Sequence, residues 1–120
     1  MNRPAFQVIL AAPADRDFLE IMEWSAERFG AAAADRYELL VRQALTDVGE
    51  DPFRPGARQR PELRQGMYTY HLAASRDRVN GDRVSAPRYF LLYRVLAFRV
   101  EVLRILHDNR DLERHLPEMR

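Results

Sequence analysis

The 120-residue chain contains no cysteine and no lysine. Without cysteine there is no disulfide, no thiolate nucleophile and no thiolate metal site, which fits a reducing, cytoplasmic setting. Without lysine there is no Schiff base and no P-loop phosphate lysine, and all 19 basic residues are arginines. No apolar run reaches the roughly 20 residues that span a bilayer, and the N-terminus lacks a signal peptide's basic-then-apolar pattern. Histidines are scarce. His71, His107 and His115 fall in no metal-ligand spacing, no glycine-rich phosphate loop is present, and Ser25, Ser75 and Ser85 lack a nucleophile-elbow context. The sequence therefore implies neither a metal nor a cofactor.

What remains is an ordinary single domain, residues 1–120, with 47% hydrophobic residues and a net charge of +1. Its charge is uneven. Residues 1–50 carry 5 arginines against 9 acids, whereas residues 51–120 carry 14 against 9. A basic half steers a protein toward nucleic acid or an acidic partner. Acids among the arginines (Asp77, Asp82, Asp108, Asp111, Glu113) interrupt any continuous basic stripe, which favours an interaction surface over direct duplex binding.

The order of elements can be read from pattern. "AFQVILA" (Ala5–Ala11) is a short strand, and Pro13, Asp15 and Asp17 suit the first turns of a helix that stops at Gly30. Tyr37, Leu40, Val41, Ala44, Leu45 and Val48 form the apolar stripe of a second helix, ended by Gly49. So short a break between the two predicts an antiparallel helical hairpin. Asp51–Gly66, with three prolines and two glycines, reads as loop, and Met67–Ala73 as a strand. The Asn80-Gly81 pair within "RDRVNGDRV" (Arg76–Val84) predicts a β-hairpin, with Pro87 marking an edge or a bulge on the return strand.

Tyr89–Val95 and Arg99–Leu106 are two further strands. A two-residue turn at Ala97-Phe98 sets Arg94 opposite Glu101, Leu92 opposite Leu103 and Phe90 opposite Ile105. That register places Arg104 on an otherwise apolar face, which is unusual unless the face is partly open. The fold class is α+β: an N-terminal strand, and an antiparallel helical hairpin packed on a mainly antiparallel sheet of about four strands. A short C-terminal helix near "DLERHL" completes it.

Six segments carry a family resemblance in order along nearly the whole chain. They are "ADRDFLEIMEWSAERFG" (Ala14–Gly30), "AADRYELLVRQAL" (Ala33–Leu45), "DPFRPG" (Asp51–Gly56), "LRQGMYTY" (Leu63–Tyr70), "FLLYRV" (Phe90–Val95) and "VEVLRILHDNRDLERHLP" (Val100–Pro117). In these the chain resembles the ParE/RelE toxins of type II toxin–antitoxin systems, and the ParE branch in particular. The resemblance implies a cytoplasmic growth-arrest protein held inactive in a hetero-oligomer by a ParD-like ribbon-helix-helix antitoxin, through which alone DNA is contacted. It also implies DNA gyrase as target, without enzymatic chemistry. The RelE branch instead cleaves mRNA on the ribosome, and one fold serves both, so the site must choose.

RNA cleavage by 2′-hydroxyl attack needs a proton acceptor, a proton donor and positive charge facing the phosphorane. RelE-like enzymes use lysines, arginines and a C-terminal tyrosine. This chain has no lysine and no tyrosine after Tyr93, and it carries Phe90 and Asp108 where arginines would stand. Arg64, Arg88, Arg104, Arg110, His107 and His115 leave a different nuclease layout open. The residues expected to meet antitoxin or target are Trp24, Arg64, Tyr68, Tyr70, Phe90, Tyr93, Arg94, Arg104 and His107, since arginine and aromatics dominate interface energetics. Phe90 and Tyr93 suit the core equally well, Trp24 suits a cap on the helical hairpin, and His107 suits a strand end bonding its own loop. The Arg76–Pro87 tip either widens an edge strand for the antitoxin or is a passive insertion.

Overall fold

The structure, a computed structural model, describes residues 6–109. β1 (Gln7–Leu10) leads through Ala11 into α1 (Ala12–Phe29), where a proline in the first turn costs no hydrogen bond. Gly30, at φ +95°, lets the chain reverse at once into α2 (Ala31–Glu50). The sheet is completed by β2 (Ala57–Gln59), β3 (Met67–His71), β4 (Tyr89–Leu96) and β5 (Arg99–His107). Its five strands run in the order β1-β5-β4-β3-β2, antiparallel except that β1 lies parallel to β5. The α+β class and the helical hairpin are as expected from the sequence. The "DLERHL" helix falls outside the described residues.

Strand alternation gives the sheet two apolar faces. Tyr70, Leu91, Tyr93, Val100, Val102 and Ile105 point toward the hairpin and pack with Ile21, Leu40, Val41 and Val48. Met67, Phe90, Leu92, Leu103 and Leu106 form a second buried cluster on the opposite face. Near the loops, the buried Asp47 carboxylate accepts from Ser75 Oγ at 2.5 Å, Gln43 Nε2 at 2.9 Å and Arg78 Nε at 2.9 Å. Ser75 has one proton and gives it to Asp47. The Tyr70 hydroxyl, 2.7 Å from Ser75 Oγ, is therefore the donor in that contact. This chain of bonds ties α2 and β3 to the segment after β3.

Four expectations are corrected. Gly49 does not end α2. It lies inside the helix, where an added Cβ would come within 2.7 Å of Val8 Cγ2, so its bareness lets β1 pass close. The Asp51–Gly66 loop contains β2, which gives the sheet a fifth strand. Arg76–Val84 forms no hairpin. β3 stops at His71, and Leu72–Arg78 is a 3₁₀ helix capped by His71 Nδ1, which accepts from Ala73 N–H at 3.0 Å. Buried Leu72, Ser75 and Val79 hold that segment against the core. Pro87 precedes β4 and interrupts no strand.

The fourth correction concerns the β4–β5 register. Arg94 does oppose Glu101, but a bulge then leaves Leu103 extra, so Leu92 opposes Arg104 and Phe90 opposes Leu106. The bulge is held from α1. Asp17, only 8% exposed, accepts from Arg104 Nε at 2.7 Å, Arg104 Nη2 at 2.9 Å and the Ile105 N–H at 2.9 Å. The face on which Arg104 stands is partly open, with Arg104 lining a surface hollow, and a carboxylate from the first helix is built into it.

Asp17→Ala is expected to cost about 3 kcal/mol in denaturant unfolding, because it strands a partly buried guanidinium and an amide. The Ile105 amide should then exchange faster than its strand neighbours, and unchanged protection would show that the bulge does not need Asp17. Gly49→Ala is expected to destabilise by about 1–3 kcal/mol through overpacking. Combining it with Val8→Ala should recover most of that loss, and no recovery would mean the clash lies elsewhere.

Candidate partner-binding site

A groove of about 610 Å³ opens between the tip of the helical hairpin and the ends of the two long strands. Its walls are Trp24 and Phe29 of α1, Ala33 and Tyr37 of α2, Val84 and Ala86 of the segment before β4, then Tyr89 and His107. Trp24, 44% exposed, meets Phe29 edge-on at 5.6 Å, and the Arg28 guanidinium lies 5.5 Å from the Trp24 ring. Tyr37 and Tyr89 meet edge-on at 5.8 Å, as do Tyr89 and His107 at 5.3 Å. Arg36, Arg83 and Arg88 line it against a single acid, Asp82. A second hollow of about 500 Å³ shares Trp24, Tyr89 and His107 and runs down α1 to Asp17 and Arg104.

Arg88, one of the lining arginines, is itself bound by Asp108. Arg88 grips its carboxylate from Nε and Nη2 at 3.1–3.3 Å. Since His71 Nδ1 is an acceptor in the cap, the proton of the neutral ring sits on Nε2, which donates to Asp108 Oδ2 at 3.1 Å. Arg88 foremost, and His71 after it, hold the Asp108 carboxyl below its usual 3.8. Burial pushes the Tyr37 hydroxyl above its usual 10.0, so it stays protonated at neutral pH and accepts from the Arg88 N–H at 3.3 Å.

The residues proposed from sequence do not converge on one site. Trp24 and His107 line the groove, and Arg104 borders its extension while locked to Asp17. His107 Nδ1 is engaged by its own strand end, 2.9 Å from Asn109 Oδ1 and 3.3 Å from Asn109 N. Tyr70 and Tyr93 are fully buried on the hairpin side, which makes them supports and not contact residues. Tyr93 donates to the Pro52 carbonyl at 2.7 Å, and Tyr68 stacks on it at 5.7 Å, half-buried. Phe90 is buried on the opposite face. Arg94, also on that face, pairs with Glu101 at 2.6 Å, and Arg64 is exposed in the turn before β3.

Sequence reasoning missed Asp17, Tyr37 and Tyr89, and it weighed Arg88 only for a nuclease layout. Asp17 carried a usable signal, because an acid at that step of the α1 stripe, between buried Ala14 and Ile21, demands a cation. Among the described residues no cluster of three or more acidic or histidine side chains could hold a metal ion. At the one place where His71 and Asp108 meet, Arg88 already supplies the positive charge.

Because the folded-state pKa of Asp108 is depressed, its contribution is present above about pH 4 and is lost as the pH falls through the lowered value. Wild type and Asp108→Asn should therefore differ in unfolding free energy by a constant amount near neutrality, and the gap should close in acid. A gap independent of pH across a denaturation series would show that the Arg88 clamp does not select the ionised form.

The fold agrees with comparison to known proteins. Residues 8–112 match the family model described as the ParE toxin of the type II toxin-antitoxin system parDE. A solved structure described as a chromosomal ParDE TA system from P. aeruginosa superposes with a TM-score of 0.64 at 14% identity, covering 86% of this chain and 96% of that one. No curated protein matches the chain. At that identity the structural likeness speaks for the fold alone, whereas the family match spans nearly all of the described residues. The chain belongs to the ParE toxin family of type II toxin–antitoxin systems.

Proposed function

We propose that this toxin arrests growth in the cytoplasm without enzymatic chemistry, by binding DNA gyrase, and that a ParD-like antitoxin neutralises it by occupying the aromatic groove. The observation that carries the antitoxin assignment is the groove's make-up. Trp24, Phe29, Tyr37 and Tyr89 offer apolar anchorage, and Arg28, Arg36 and Arg83 surround it with charge suited to an acidic amphipathic segment. DNA is reached through the antitoxin's ribbon-helix-helix part, within a hetero-oligomer.

The state of the charged groups supports binding over RNA cleavage. Arg88, Arg94 and Arg104 are each held by a carboxylate (Asp108, Glu101 and Asp17), so their charge is not free to face a phosphorane. Phe90 is buried, and His107 is engaged by Asn109. Tyr37, Tyr70 and Tyr93 are all pushed up by burial, which works against a phenolate base.

Controlled expression without antitoxin tests the target. Thymidine incorporation should fall while methionine incorporation continues, and collapse of methionine incorporation first would replace the gyrase reading with the ribosomal nuclease. Trp24→Ala should weaken antitoxin binding by about tenfold or more in titration calorimetry. Unchanged affinity would remove the groove from the antitoxin interface.

A further inference from the structure

At the end of the sheet opposite the groove, β4 turns into β5 through Ala97 and Phe98. Ala97 has φ +50°, and it is the one non-glycine residue with a positive φ among the described residues. Hairpin positions of that kind normally go to Gly, Asn or Asp, so an alanine there is held in a strained conformation. Phe98 is 78% exposed, the most exposed large hydrophobic side chain described. Its backbone is nevertheless fixed. Leu96 pairs with Arg99 across the turn, and the Phe98 carbonyl accepts from Gln7 N–H at 2.8 Å. An aromatic ring on so rigid a mount loses little conformational freedom when a partner buries it.

The surroundings are basic. Arg99 follows Phe98, and Arg64 sits in the neighbouring turn, whose Gly66 carbonyl accepts from Val95 N–H at 3.2 Å. Both arginines are exposed and make no ion pair among the described residues, while Glu101 is already taken by Arg94. β4 separates this tip from the groove: its eight residues reach from Tyr89 to Leu96, roughly 23 Å at about 3.3 Å per residue. An occupant of the groove and an occupant of the tip are therefore separable.

We infer that the Ala97–Phe98 tip is the part of the toxin that engages its protein target. Phe98 enters an apolar pocket on the target, and carboxylates at the pocket's edge face Arg99 and Arg64. The inference rests on the reading of the chain as an active toxin with its antitoxin in the groove, and it adds a second, distinct surface for the target.

The test compares wild type, Phe98→Ala, Phe98→Tyr and Arg99→Glu for growth arrest under graded expression. Antitoxin affinity and thermal midpoint are measured on the purified proteins. Phe98→Ala and Arg99→Glu should need at least about tenfold more toxin for the same arrest. Phe98→Tyr should stay close to wild type, and all variants should keep wild-type antitoxin affinity and melting, since neither side chain belongs to the core. Full arrest by Phe98→Ala overturns the inference while leaving the toxin reading intact. A joint loss of arrest and antitoxin affinity in a folded variant overturns it as well, because the tip would then belong to the antitoxin interface. A wild-type protein that does not arrest growth removes the toxin reading and this inference with it.

Discussion

The carboxylate of Asp17 is the constraint on which the working end of the molecule depends. It comes from the first helix, is almost wholly buried, and binds both the guanidinium of Arg104 and the amide of Ile105 at the point where β5 has one residue too many. A bulge shifts every later side chain to the other face. With Leu103 left extra, Ile105 turns to the helices, Leu106 to the opposite cluster, and His107 toward Tyr89 and the groove. Strict alternation from Val102 onward would have exchanged those positions. The groove thus owes one wall to an ion pair placed some distance down the same strand.

Charge pairing of this kind recurs across the molecule. Arg88 is paired with Asp108, Arg94 with Glu101 and Arg78 with Asp47, each pair joining segments distant in sequence or opposite strands. The arginine fork suits this task better than an ammonium group, because it meets a carboxylate with two parallel bonds and cannot deprotonate. Arg64 and Arg99, exposed beside the β4–β5 turn, are among the arginines that make no ion pair with the described residues.

The helical hairpin was legible because Tyr37, Leu40, Val41, Ala44 and Val48 repeat at helical spacing, and the two long strands because they are nearly continuous aliphatic runs. The Arg94–Glu101 pairing followed from turn length alone. β2 was illegible for the converse reason: Ala57, Arg58 and Gln59 have no strand pattern of their own and are extended because β3 pairs with them. Asn80-Gly81 misled because a hairpin turn needs flanking strands, whereas Ser75 is held by Asp47 and Leu72 and Val79 are buried, keeping that chain on the core. Arg104 on an apolar face was an anomaly in the sequence, whereas Asp17 read as an ordinary acid in the first turns of a helix. Only together do they resolve into a contact, and the distance of 87 residues between them hid the connection.

The strand order has a bearing on synthesis. β5 lies between β1 and β4, so an interior place in the sheet is filled by the strand that comes last in chain order among those described. Until it emerges from the ribosome, β1 has no strand to pair with, Asp17 has no Arg104, and the core lacks Val100, Val102 and Ile105. Closure must wait for contacts between the two ends of the chain, a high-contact-order event that is intrinsically slow. Whatever meets the chain before residues 99–107 are made finds the helical hairpin with its sheet side still uncovered by β5.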